Sequence, residues 1–356
     1  MITGDLDRAL AAAISSAGTW RPAPPGTACG PRTYATTIAF RLAGRDAGDP
    51  GAVAARLAAR LGGLGWVEAA TVTGGGYLVA TVTASALAGL AVRITQAGPR
   101  CARSSALAGT GLTGPAAVDL ASARTWEEAR QRVHAAVTAR LAEAAGARVK
   151  HQHNAERIAA PGSPAPMTVA SQVTAPSVAA EAIAYAGVDA ITCALARLPP
   201  RGPALVDARL AATQHPGNPA YAVRYAHAHA ASALRQAADL GLDQGEVAQF
   251  RPRLLAHPSE QALLYELSWL PERVAGAARR ARPDVLARYL EGLARAYFDC
   301  QEACPAARPG MAVPGVSPGE RAARQAAAAR LWLAAAARTA LGTGLGLLGV
   351  SAPDRL

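Results

Sequence analysis

The sequence predicts an α+β module at the N-terminus, a βα segment behind it and an all-α helical bundle at the C-terminus. Three observations carry this reading. "WVEAATVTGGGYLVATVT" alternates apolar and polar residues on both sides of Gly74, Gly75 and Gly76, the pattern of a β-hairpin. "TWEEARQRVHAAVTARLAEAAG" is a capped helical stretch between two short candidate strands. From about residue 179 every apolar stretch follows the helical period and is broken only at Pro/Gly-rich turns.

The elements follow in order. Residues 6–17 read as a short helix, followed by the Pro/Gly loop "RPAPPGTACGP". "TYATTIAFRLAG" and "PGAVAARLAARLGGL" both place apolar residues at i, i+3 and i+4, with Pro50 and Gly51 as a start signal for the second. With the hairpin they complete a module over residues 1–98. Residues 99–115 are rich in Gly, Ser and Thr and read as a linker; "AAVDLAS" is a candidate strand. The helix after it has Thr125 as N-cap, Glu127 and Glu128 where the macrodipole favours negative charge, and Gly146 at its end. "ARVKHQHN" completes a β-α-β unit, and residues 159–178 read as a flexible joint. The last segment, 179–356, reads as about five or six helices by period. Its breaks are "LPPRGP", "HPGNP", "RPRLLAHPS" and "CPAARPGMAVPGVSPGE".

A chain of 356 residues fits about two or three domains. The net charge of +11 is carried mostly by arginine, which points to a polyanionic partner, the alternative being arginine- and alanine-rich coding bias. The five cysteines form no C-x-x-C pair, and the N-terminal "MITGDLDRAL" lacks the basic start and apolar core of a signal peptide. Arg330 and Arg338 interrupt the apolar tail, so no membrane span is expected, and the reading is a cytoplasmic chain.

The aromatic content is only 4%, yet "HPGNPAYAVRYAHAHAASALRQA" sets Tyr221, Tyr225, His227 and His229 close together. Asn218 is an N-cap, Pro219 suits the first helical position, and the two tyrosines share a face at i,i+4. The two histidines diverge, so no helical zinc pair exists; no nucleophile with a partnered base can be placed either, and neither metal nor cofactor is expected. Tyr221 is expected in the core and Tyr225 partly exposed beside Arg224. His151 and His153 share a strand face that could bind metal, a solvated strand end being the simpler reading. Glu127 and Glu128 diverge by about 100°, which disfavours an acid/base pair.

The same stretch, "NPAYAVRYAHAHAASALRQA", resembles the start of the helical DALR anticodon-binding domain of arginyl-tRNA synthetases. "LPERVAGAARRARPDVLARYLEGLARAYFDCQEAC" resembles its middle and "ARLWLAAAARTALGTGLGLLGVSAPDRL" its end, in the family's order. "AEAIAYAGVDAI" is similar to the stretch leading into it. "TYATTIAFRLA" with the hairpin behind it resembles the family's additional N-terminal domain, which grips the tRNA elbow; Thr37 stands where the family usually has asparagine.

The resemblance implies that residues 99–178 are a degenerate remnant of a Rossmann-type class I catalytic domain. Thr125–Glu128 then stand in place of the H-I-G-H signature and Val169–Gln172 in place of K-M-S-K, without the charges that neutralise ATP phosphates in adenylate formation. The expected function is a catalytically silent paralogue that binds tRNA, with an arginine acceptor the expected species. Phosphate contacts would come from Arg224, Arg279, Arg280, Arg282, Arg288, Arg295, Arg330 and Arg338, about half of the helix-face arginines being ordinary solvated charges. Tyr34, Tyr221, Tyr225, Tyr289 and Tyr297 are the candidates to pack or stack on bases. Cys300 and Gln301 replace a Phe-Tyr pair of the family, so stacking surface is expected to be lost there. A synthetase or another tRNA-using enzyme is a further expected partner. The alternative is a synthetase-derived interaction module that docks on another enzyme without RNA.

Overall fold

The computed structural model describes residues 2–11, 20–22, 32–46, 48–115, 118–152, 177–306 and 318–356. The first segment contains α1 (Ile2–Ala11), β1 (Trp20–Pro22), β2 (Thr33–Thr36), α2 (Ile38–Asp46) and α3 (Pro50–Gly62), then β3 (Val67–Thr73), β4 (Tyr77–Val82), α4 (Ala84–Ala88) and α5 (Leu90–Ala97). Its four strands form an antiparallel sheet in the order β1-β2-β4-β3. The hairpin turns where the sequence places it, with Gly74 and Gly75 at φ 53° and 74°, a left-handed backbone that side chains resist. The Asp49 carboxylate accepts a hydrogen bond from the Ala52 N–H and caps α3 at the expected start.

The helix read over "TYATTIAFRLAG" is half right. Thr33–Thr36 is a strand, and α2 begins only at Ile38. The β-rich run "TYAT" pairs with β1 on one side and β4 on the other and is buried throughout, so strand pairing overrides the helical spacing of its apolar residues.

The second segment holds β5 (Gly111–Pro115), α6 (Trp126–Ala144) and β6 (Arg148–Gln152), and the two strands pair in parallel. A β-α-β unit is therefore present, but its first strand lies inside the stretch expected to be a linker. The described part of "AAVDLAS", residues 118–122, is not strand. The signal was misleading because Gly114 is there for packing: a Cβ on it would meet the Ala139 Cβ of α6 at 2.5 Å. Thr125 caps α6 through the Glu128 N–H, and the Glu128 carboxylate accepts from the Arg124 N–H. Arg130 holds Glu127 and Arg132 holds Glu128, each at 2.5 Å. Hydrogen bonds from Arg130 to Glu127, and from the Arg124 backbone to Glu128, keep both carboxyls below the usual range. They are helix-end ion pairs. Residues 169–172, His153 and all but the end of the expected joint lie outside the described residues.

The third segment comprises α7 (Val178–Ala186), α8 (Val188–Arg197), α9 (Ala208–Ala212), α10 (Pro219–Asp239), α11 (Pro258–Ser268), α12 (Leu270–Arg279), α13 (Pro283–Ala303) and α14 (Pro318–Leu348). Two helices that look continuous in sequence are split. Gly187 at φ 85° turns α8 by 119° from α7, and α11 gives way to α12 at Trp269, just before Pro271. Gly319–Leu348 is long and apolar enough to cross a membrane, yet 67% of its most apolar window is buried within the fold. It packs there against α10, α13 and α5.

One hydrophobic core runs through all three segments, from Ile2 through Val133 to Val350. Its joint is aromatic. Tyr34 on β2 is fully buried, donates its hydroxyl to Ser268 Oγ at 2.8 Å, and lies 5.1 Å from the Trp269 ring. Tyr265 returns a hydrogen bond from its hydroxyl to the Thr33 carbonyl. Glu272, at the start of α12, is a second feature of this region. Burial, and then the neighbouring Asp7 carboxylate, push its carboxyl up to about 7. The native state therefore holds a proton that the unfolded chain has released above its ordinary carboxylate range, and stability falls as pH rises towards 7. Glu272→Gln is expected to stabilise the protein at pH 8 and to change little at pH 5, read as the urea midpoint at each pH.

Candidate nucleic-acid interface

The site grows from α10. Asn218 caps that helix through the Ala220 N–H, and Pro219 occupies its first position. The i,i+4 spacing then stacks the rings of Tyr221 and Tyr225, with centroids 5.5 Å apart and planes within 9°. Phe298 of α13 continues the stack, 5.5 Å from Tyr225 at 22°, and His229 meets both rings edge-on. Tyr225 is 37% exposed, while Tyr221 and Phe298 are half-buried. The result is a ledge of aromatic rings with one side in water. Such a surface can take unstacked bases.

Beyond the ledge the two helices splay into an open groove of about 430 Å³. Ala233 and Gln236 line it from α10, and Gln301 and Glu302 from α13. Along α13, Arg288, Arg295 and Glu302 recur at seven-residue intervals and so share one face. Arg279, Arg280, Arg288 and Arg295 are exposed and form no ion pair among the described residues, though Arg288 lies beside Asp284.

The other arginines singled out in the sequence have internal work. Arg330 holds Glu260, a carboxylate with no exposed surface, at 2.8 Å. Arg338 grips both oxygens of Asp354, and Arg282 both oxygens of Asp284. Arg224 reaches Asp189 at 3.5 Å and Ser351 Oγ at 3.4 Å. Removing Arg330 or Arg282 strands a buried carboxylate and disturbs the fold before it disturbs any ligand, whereas the Arg338–Asp354 pair is exposed and contributes little to stability.

Three tyrosines expected to meet RNA face the core instead. Tyr34 and Tyr297 have no exposed surface and Tyr289 is 7% exposed; the Tyr289 hydroxyl donates to the Glu266 carbonyl. Tyr297 is hydrogen-bonded to His229 Nδ1 at 2.9 Å and so supports the ledge from beneath. Tyr221 is half-buried where a core position was expected, because its ring rests on Tyr225 rather than inside the bundle. His227 Nδ1 bonds the Pro353 carbonyl, and burial lowers the pKa of both His227 and His229. Among the described residues no three His, Cys, Asp or Glu side chains come together as metal ligands.

Sequence reasoning missed Phe298. It looked for the family's aromatic pair at Cys300 and Gln301, whereas Cys300 is buried and the half-buried ring of Phe298 lies two positions earlier. It also missed an aromatic pair in the first segment. Phe40 and Tyr77 are 37% and 41% exposed and meet edge-to-face at 5.3 Å beside Gly76. The i,i+3 relation of Phe298 to Arg295 was the available signal for the first of these.

Residues 223–356 match the DALR anticodon binding domain, and the ledge and groove are built from α10 and α13 within or next to that span. The chain is 38% identical over 174 residues to an arginine–tRNA ligase of Micrococcus luteus, covering 49% of this chain and 30% of that one. It is 40% identical over 171 residues to the arginine–tRNA ligase of Frankia alni, covering 48% and 29%. The chain thus matches under a third of the length of these curated relatives. Among solved structures, Thermus thermophilus arginyl-tRNA synthetase has the same fold, with a TM-score of 0.67 at 15% identity, covering 100% of this chain and 99% of that one. About half of the chain is thus similar in sequence to arginine–tRNA ligases.

Proposed function

We propose that this chain is a tRNA-binding protein of the cytoplasm, derived from an arginyl-tRNA synthetase and without its catalysis, with arginine tRNA as its ligand. The observation that carries the reading is the ledge of Tyr221, Tyr225 and Phe298, open to solvent, with exposed Arg295 one turn before Phe298 and Arg288 further along the same face of α13, in a segment matching an anticodon binding domain. In this reading residues 1–98 hold a second part of the same RNA, with Phe40 and Tyr77 as its exposed rings, and residues 99–178 are what is left of a catalytic domain. Glu127 and Glu128, ionised and held by arginines where a signature of histidines is expected, support the loss of catalysis.

Two expected outcomes test it. Arg288→Ala with Arg295→Ala should weaken tRNA binding and flatten the slope of log affinity against log salt by about one to two, because two phosphate contacts and their counterions are lost. Binding isotherms over a salt series read this directly. Arginine-dependent exchange of pyrophosphate into ATP should stay at the level of a reaction without protein; clear turnover would show a working catalytic site.

A second reading, docking on another enzyme without RNA, is favoured by Tyr185 on α7, Leu205 in the connection before α9 and Leu210 on α9, apolar side chains 65%, 73% and 56% exposed. It predicts that polar substitutions there, rather than on the ledge, abolish the protein's associations.

A further inference from the structure

The exposed apolar side chains of the bundle segment are not scattered. Val178, Tyr185, Val188, Leu205 and Leu210 all lie between residues 178 and 210 and all face water. Helical spacing sets Val178, Glu181 and Tyr185 on the outer face of α7, because Ala179, Ala182, Ile183 and Ala186 turn to the core. Val206, Ala208 and Ala211 pack inwards in the same way and leave Leu205 and Leu210 outside. The pieces adjoin, since α9 lies against both α7 and α8. An apolar surface of this kind marks a place that another molecule covers.

The charges beside the patch say which molecule. Glu181, the one charged residue of α7, and Arg209 of α9 are both exposed, and neither forms an ion pair among the described residues. One free acid and one free base beside the same apolar centre make the patch complementary to itself under a two-fold rotation, the relation an isologous interface requires. An anionic membrane surface would take the arginine and repel the glutamate. We propose that the chain forms a homodimer through this face. Tyr185 and Leu205, the most exposed of the five apolar side chains, fill the centre against the second copy, and Glu181 of each protomer pairs with the partner's Arg209 at the rim. The dimer does not depend on the ledge or on RNA.

Sedimentation equilibrium of the full chain, freed of RNA, tests this over a wide range of concentration. The expected result is a monomer–dimer equilibrium that Tyr185→Ser with Leu205→Ser abolishes, while circular dichroism shows the helical fold intact. Glu181→Arg and Arg209→Glu should each weaken the dimer by at least about tenfold, because like charges then meet twice across the axis. Mixing those two variants should restore association as a heterodimer, in which both contacts again join opposite charges. A chain that stays monomeric throughout overturns the proposal and leaves the patch to a different protein. So does a dimer that survives Tyr185→Ser with Leu205→Ser, or a pair of charge variants that fail to associate when mixed. Titration of the same preparations with tRNA tests the RNA-binding reading separately.

Discussion

Alanine at both Tyr225 and Phe298 is expected to weaken tRNA binding by roughly 1 to 3 kcal/mol for each base that stacks there, a loss of about 5- to 150-fold per base. Tyr225 stacks between Tyr221 and Phe298, and it turns more than a third of its surface to water. Truncation therefore removes a platform for the ligand and, at Phe298, part of the packing against the core, which is why stability is measured alongside. Tyr297 is the control. It lies directly beneath, fully buried, and its alanine variant should cost about 3 to 5 kcal/mol of folding stability. Thermal melts and binding titrations on the same preparations separate the two effects. A double ledge variant that melts far below wild type, with unchanged affinity once folded, would assign these rings to packing.

Arg330→Ala should be among the most destabilising changes in the molecule. Glu260 is fully buried, its Oε1 accepts from Arg330 and its Oε2 from the His257 N–H that opens α11. Removal of the arginine strands a buried carboxylate and costs about 3 to 5 kcal/mol. Urea denaturation measures it. Glu260→Gln together with Arg330→Met should recover much of the loss, because no unpaired charge is then left inside. The sequence marks Arg330 as a phosphate contact; the pair predicts that tRNA affinity per folded molecule barely changes.

The difference between Arg330 and Arg295 shows what the sequence could and could not reveal. Both sit on helices at spacings that suit a solvated face, and the distinction lies in Glu260, seventy positions from Arg330 and brought to it only by packing of α11 on α14. The elements whose logic is local were legible: the start of α3 at Pro50, the Thr125 and Asn218 caps, the triple-glycine turn and the i,i+4 tyrosine stack. Where partners are distant, reading failed. β2 was taken for helix because its strand partners are not its neighbours in sequence, and Gly114 looked like a linker residue because the helix it touches comes later. Tyr289 and Tyr297 lie in a stretch that carries the resemblance of the bundle and Tyr34 in that of the N-terminal module, yet all three serve from inside. The ledge was half legible. Tyr225 could be placed at the surface from its helix alone, while Phe298 needed the crossing of α13 over α10.

The central claim is that this surface holds folded tRNA. Competition between total tRNA and an unstructured RNA of equal length for the full chain, at near-physiological salt, tests it most directly. The account predicts that tRNA wins by at least about tenfold, since stacked loop bases and a second grip add to the phosphate term that any RNA shares. It also predicts that sequencing the retained species shows arginine acceptors enriched. Equal competition by the two RNAs, together with an unchanged affinity in the Tyr225→Ala Phe298→Ala variant, would contradict it.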